Sequence, residues 1–224
     1  MKLSAKWQQM MDYIGLTDAD TTLLHGKTAE FDKIADAVTD ELYRRVTARP
    51  ELKAIIERHS TIDRLKQTQR AYFMSMCTEG IDDAYIEHRM RVGRIHSRIG
   101  LTTHWYLGTY MVYLDLAVAH LRQVCPDDWM DVTLALSKMF NLDSQIVLEV
   151  YQEEEKAKVE RLAEERGGML SVITSSVQEL SAMLTQLGTS SRSAADNARQ
   201  SVLAQERSGA SIRELENKIL EVSE

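Results

Sequence analysis

The chain has 224 residues, a formal net charge of −7 at pH 7, two prolines, ten glycines and 6% aromatic side chains. So few turn-forming and aromatic residues favour long helices over a sheet. The mild acidity, without a long run of Lys and Arg, argues against nucleic acid as a partner. The N-terminal segment MKLSAKWQQMMDYIG lacks the apolar core of a signal peptide. The most apolar stretch, 111–124, is interrupted by Asp115, His120 and Arg122, and it is too short to span a bilayer.

Helical periodicity dominates the first 165 residues. In chain order, helices are predicted over about 17–24, 27–47, 60–77, 82–99, 102–124 and 129–165, with a short segment at 51–58 between the second and third. The second of them carries one apolar stripe, formed by Phe31, Ile34, Val38, Leu42 and Val46. Pro50 and Gly100 separate neighbouring helices, whereas no helix breaker occurs from Trp129 through Glu165.

A heptad repeat begins after Gly167 and Gly168. Its a and d positions are apolar at first, small and polar from Ser191 to Ser208, and apolar again towards the end; the apolar ones are Leu170, Ile173, Val177, Leu180, Leu184, Leu187, Ile212, Leu215, Ile219 and Val222. This pattern predicts a coiled coil whose middle packs closely but weakly, which suits small shifts between helices. An ordinary rigid connector is the alternative. Because the repeat is still running at Glu224, we expect the chain to be a truncated piece of a longer protein.

Histidines are the candidates for binding a metal or haem in such a helical domain. The six are His25, His59, His88, His96, His104 and His120, and no pair has metalloprotease spacing. His88, His96 and His104 are spaced by eight residues, so periodicity alone does not choose among them. Cys77 and Cys125 have no metal-ligand spacing and predict a reduced, cytoplasmic protein rather than a disulfide. The absence of C-x-x-C-H excludes a covalently attached c-type haem.

Two stretches resemble the globin-coupled sensor family, and within it the haem-based aerotactic transducers. They are HSTIDRLKQT at 59–68 and GIDDAYIEHRMRVGRIHSRIGLTTHWYLGTY at 80–110. The similarity continues in FNLDSQIVLE at 140–149 and faintly in SVQEL at 176–180. One departure lies at Thr102-Thr103-His104, where relatives tend to have a proline and a basic residue; it bears on signalling more than on binding.

The resemblance implies an all-α fold. We expect a globin-like haem-binding domain over residues 1–152, followed by a helical linker and the start of a coiled coil over 153–224. The globin domains would dimerise through their last two helices, about 102–124 and 129–165.

The resemblance also implies a site for haem b, bound without a covalent link. The histidine of its H-x-R-I-G-L string is the proximal iron ligand, which falls on His96 near the end of a helix. On the distal side the matching residues are Tyr43 and Thr68, whose hydroxyls would donate to bound dioxygen; the alternatives are that Tyr43 fills a helix interface and that Thr68 bonds its own i−4 carbonyl.

Further residues follow from the same resemblance. Leu65 would cover the distal face of the haem, and His59 could swing towards a propionate or a bound ligand. Tyr106 would lie beside the proximal imidazole and respond to movement of the iron, with core packing at the dimer interface as its alternative. The plausible pocket walls are Phe31, Leu42, Tyr72, Phe73 and Met76, each of which could equally be core packing.

The implied function is a cytoplasmic oxygen sensor, not an enzyme, with carbon monoxide or nitric oxide as alternative ligands. The Ser-, Ala- and Gln-rich heptads resemble the start of a methyl-accepting chemotaxis signalling domain, which implies aerotaxis through a chemotaxis histidine kinase and its coupling protein. The alternative output is a diguanylate cyclase or a histidine kinase beyond the coil. Two further interpretations are a helical dimerisation module without haem and a globin that stores oxygen or consumes nitric oxide.

Overall fold

Eight helices account for almost all of residues 3–222, which is the part of the chain that the computed structural model describes. They are α1 (Ala5–Ile14), α2 (Asp18–His25), α3 (Thr28–Thr47), α4 (Pro50–His59), α5 (Ile62–Ser75), α6 (Asp83–Arg98), α7 (Thr103–Val124) and α8 (Trp129–Val222). No strand occurs between residues 3 and 222. The all-α prediction is therefore confirmed. Within the same range, no helix is long and apolar enough to cross a membrane.

Local sequence signals explain where most helices begin. Thr17 and Asp20 form a capping box at the start of α2, with the Thr17 N–H donating to the Asp20 carboxylate at 2.8 Å. Pro50 occupies the first turn of α4, where its missing N–H costs nothing. The Asp82 carboxylate caps α6 by accepting from the Tyr85 N–H at 2.9 Å.

Helix α1 was not among the predicted helices. Its apolar residues recur at three- and four-residue spacings: Trp7 is buried, and Met10, Met11 and Ile14 are partly buried against the core. The helix ends at Gly15, whose φ of 66° closes the turn, and Leu16 then enters the core. Lys6 also forms an ion pair with Glu149 of α8. The apolar stripe of α1 and this ion pair thus hold the helix in place together.

Helix α3 lies at the centre of the core and contacts α4, α5 and α7. Its predicted stripe is buried over Phe31, Ile34, Val38 and Leu42, and Phe31 stacks on Phe73 of α5 with ring centroids 5.0 Å apart. Burial of this apolar surface provides the main stabilisation of the domain.

The chain divides into two compact units, one up to Val159 and one from Glu160 onwards. In the second unit the a and d side chains from Leu170 to Leu215 are exposed. The side chains of Ile219 and Val222, the last two of the repeat, lie outside the described residues.

Candidate functional site

His96 lies in the last turn of α6 and is partly buried, whereas His88 and His104, eight residues away on either side, are exposed. The His96 Nδ1 lies 2.8 Å from the Val92 carbonyl oxygen. Because a carbonyl only accepts, Nδ1 carries the proton and Nε2 keeps its lone pair. Burial lowers the pKa of His96, which favours the neutral imidazole. The side chain thus has the tautomer and charge that a metal ligand needs.

A turn at Gly100 fixes the chain directly after His96. Gly100 has a φ of 80°, and the Leu101 N–H donates to the His96 carbonyl at 3.0 Å. The Leu101 carbonyl in turn accepts from the Tyr151 hydroxyl of α8 at 2.7 Å. The end of α6 is therefore attached to α8.

Tyr106 of α7 lies against the His96 imidazole. The two ring centroids are 5.0 Å apart with an interplanar angle of 70°, an edge-to-face contact. The Tyr106 hydroxyl lies 3.2 Å from that of Tyr110. The structure thus brings two of the predicted site residues, His96 and Tyr106, into direct contact.

Tyr43 of α3 is 8% exposed, and its hydroxyl makes no hydrogen bond with any residue between 3 and 222. Burial raises the pKa of Tyr43 above its ordinary range, so the phenol stays protonated. The side chain is therefore a buried donor whose proton is not committed to a neighbour.

Thr68 of α5 is exposed, and its hydroxyl donates to the Arg64 carbonyl at 3.0 Å. This i−4 hydrogen bond is the alternative that the sequence left open for Thr68. The distal role of Thr68 stays a prediction. Leu65 is half-buried one turn earlier. His59 is exposed as the last residue of α4, and no hydrogen bond or ring contact joins its side chain to another described residue.

The predicted pocket walls pack in the core. Four of the five are buried and the fifth is half-buried: Phe31, Leu42, Phe73 and Met76, and then Tyr72. The Tyr72 hydroxyl donates to Asp143 at 2.8 Å. Core packing, the alternative considered from the sequence, thus describes the contacts of these residues.

A buried ion pair was missed from the sequence. The Asp143 carboxylate of α8 is fully buried and lies 3.1 Å from the Arg89 Nε of α6, whose side chain is 3% exposed. A signal was present, since Asp143 interrupts the apolar stripe that Met139, Ile146 and Val150 form on α8. A charged residue on such a stripe indicates a buried partner.

The helical architecture and the buried imidazole at the end of α6 are those of a globin-like domain. The family model described as Protoglobin matches residues 3–157, and the chain belongs to that family. The globin domain of the Geobacter sulfurreducens globin-coupled sensor has a similar fold, with a TM-score of 0.60 and 22% identity over 64% of this chain and 96% of that one.

A curated relative is the heme-based aerotactic transducer HemAT of Halobacterium salinarum. It is 23% identical over 180 residues, which are 75% of this chain and 37% of that protein. The chain thus spans little more than a third of the length of this relative. Together with the family and the solved structure, this relative confirms the resemblance to globin-coupled sensors.

Proposed function

We propose that the chain binds haem b through His96 and senses dioxygen as the input domain of an aerotaxis receptor. The observation that carries the proposal is the His96 side chain, whose Nδ1 is bonded to the Val92 carbonyl and whose Nε2 is left free, with burial lowering its pKa. Membership of the protoglobin family and the HemAT relative support haem as the cofactor. A haem iron supplies one coordination position for such an imidazole and another for a diatomic gas.

The distal residues fit this proposal to different degrees. Tyr43 offers a hydroxyl that bonds to no described residue, on a side chain that is mostly buried, which suits a hydrogen bond to the partial negative charge of bound dioxygen. Leu65 is half-buried, and Ile62 and Ile95 leave 36% and 52% of their surfaces exposed. These apolar side chains on α5 and α6 would cover the haem. Thr68 would join Tyr43 only after its hydroxyl turns away from the Arg64 carbonyl.

Dimerisation through α7 and α8 is supported by apolar side chains that are exposed in the single chain. Met111 is 65% exposed, Met130 64% and Leu134 57%. Met111 also lines a groove of about 440 Å³, together with Leu107 and Phe140 among others. Exposed apolar surface of this kind is typical of an interface, so we assign it to a second copy of the chain.

The output is proposed from the polar heptads between Ser191 and Ser208, which resemble the start of a methyl-accepting signalling domain. The partners would be a chemotaxis histidine kinase and its coupling protein in the cytoplasm. The HemAT relative is an aerotactic transducer, which favours this output over a cyclase or kinase domain.

The test is the visible absorption spectrum of dithionite-reduced protein before and after oxygen is admitted. We expect a Soret band in the wild type that shifts reversibly with oxygen. The band should be lost or altered in His96→Ala and unchanged in the matched controls His88→Ala and His104→Ala, whose histidines are exposed. A wild type that stays colourless after haemin is added, or a His96→Ala spectrum equal to that of the wild type, would contradict the proposal.

A further inference from the structure

Asp143 is the centre of a buried polar cluster that joins three helices. Its carboxylate accepts hydrogen bonds from the Tyr85 hydroxyl of α6 at 2.6 Å and from the Tyr72 hydroxyl of α5 at 2.8 Å. The Arg89 guanidinium donates to the same carboxylate and, at 2.7 Å, to the Ser75 hydroxyl. Each charge in the cluster is thus paired and hydrogen-bonded, which is the condition for keeping charges in a core.

The two tyrosine rings also enclose the guanidinium. The Arg89 Cζ lies 4.7 Å from the Tyr72 ring centroid and 4.4 Å from that of Tyr85. Burial, followed by the charge of Asp143, raises the pKa of both phenols well above the ordinary value, so both remain donors. The cluster therefore has one well-defined set of hydrogen bonds. A shift of α6 against α8 would break the bonds between these two helices together.

Helix α6 contacts α8 again one turn beyond Arg89. A Cβ added at Gly93 would lie 3.3 Å from the Val150 Cβ and 3.4 Å from the Val147 Cγ1, so the two helices are in close contact here. Arg89, Gly93 and His96 follow each other at spacings of four and three residues, which places them on one face of α6. The face that carries His96 is thus the face that packs on α8.

The contacts continue past His96. The Tyr151 hydroxyl holds the Leu101 carbonyl at 2.7 Å, and Arg98 lies 3.8 Å from Glu154. Residues 143–154 of α8 therefore contact the segment around His96 turn after turn. A second path leads from His96 through Tyr106 and Tyr110 to Phe140 of α8, with ring centroids 5.0, 5.4 and 5.4 Å apart.

We propose that Arg89 and Asp143 are positioning residues, and that their buried pair fixes α6 on α8 so that a displacement of His96 is carried into α8. The inference rests on the proposed function, because it requires a ligand-dependent displacement of His96. A buried pair suits this role since its partners are either in place or separated, with no stable intermediate position. Neither residue would contact the haem or its ligand.

The experiment is hydrogen–deuterium exchange of the haem-loaded, reduced chain with and without oxygen, followed in peptides that cover residues 143–158. Asp143→Asn removes the charge that holds Arg89. Tyr85→Phe removes only one hydroxyl, so it should fold even if Asp143→Asn does not. The matched control is Asp115→Asn, which breaks the exposed pair between Arg45 and Asp115, 2.8 Å apart, on α3 and α7.

We expect an oxygen-dependent difference in exchange over 143–158 in the wild type and in Asp115→Asn. In Asp143→Asn and Tyr85→Phe this difference should fall to less than half, while the Soret band is retained. A cluster that only stabilises the fold would leave the difference intact, and that result would overturn the inference. A haem-loaded wild type without any difference would also overturn it. A wild type that binds no haem would instead refute the proposed function.

Discussion

The hydroxyls of Tyr43 and Thr68 differ in their hydrogen bonds within the protein. The Tyr43 hydroxyl has no hydrogen-bond partner among residues 3–222, whereas the Thr68 hydroxyl already donates to the Arg64 carbonyl. Loss of a hydrogen bond of about 1.5 kcal/mol corresponds to a roughly tenfold change in rate. We therefore expect Tyr43→Phe to release oxygen roughly tenfold faster in stopped-flow dissociation, and Thr68→Val less than about threefold faster.

Carbon monoxide provides the control for this pair of variants. It is less polar when bound than dioxygen, so removing a donor should change its dissociation rate much less. An equal acceleration for both gases would show that Tyr43 acts by filling space, and a Thr68 effect as large as that of Tyr43 would place both hydroxyls on the ligand.

Single residues also show where sequence reasoning succeeds and fails. Spacing alone could not choose among His88, His96 and His104; the family motif selected His96, and burial distinguishes it from the other two. The pair of Arg89 and Asp143 escaped notice because the two residues are 54 positions apart. A periodicity argument concerns one helix at a time, so it cannot identify the partner that a buried charge requires.

At the scale of helices, apolar stripes and breakers predicted the core helices well. Helices α3 and α7 were predicted over about 27–47 and 102–124 and are found over Thr28–Thr47 and Thr103–Val124. Helix α1 was not predicted, although Trp7, Met10, Met11 and Ile14 form an apolar stripe along it. The helix has only ten residues, and a helix this short depends on docking against a surface that the local sequence does not describe.

The packing of α6 on α8 can be tested at Gly93. Ala in place of a helical Gly gains about 1 kcal/mol of helix propensity, but here the new Cβ lies 3.3 Å from the Val150 Cβ. Overpacking of this kind costs roughly 1–3 kcal/mol, so we expect Gly93→Ala to lower the free energy of unfolding by about 1 kcal/mol. Urea denaturation at a fixed protein concentration measures it.

Gly108→Ala on α7 is the matched control, because nothing lies within 4 Å of the added Cβ. It should be neutral or more stable by up to about 1 kcal/mol. If Gly93→Ala raised the free energy of unfolding as much as Gly108→Ala, α6 and α8 would have room for the added methyl group. Their contact at Gly93 would then be too loose to transmit a displacement.

On the scale of the whole molecule, the second unit poses a different problem from the first. Up to Val159 the helices bury their apolar faces against one another, as a single chain can. From Glu160 to residue 222 a single helix leaves Leu180 57% exposed and Leu184 68% exposed, and no other element in this described part of the unit covers them. From the regular a and d spacing we expect a second copy to cover these residues.

Oligomeric state measured by sedimentation tests this assignment. Leu180→Lys with Leu184→Lys places two charges in the seam at d and a, so the self-association constant should fall at least about tenfold, a loss of about 1.4 kcal/mol or more. Gln178→Lys with Ala182→Lys adds the same charges at the outward b and f positions and should leave the self-association constant unchanged.

An equal fall of the self-association constant in both double variants would show an effect of net charge rather than of the a and d positions. If neither double variant changed it, α7 and the globin part of α8 would form the whole dimer interface. The exposed Met111, Met130 and Leu134 give that surface an apolar area of its own.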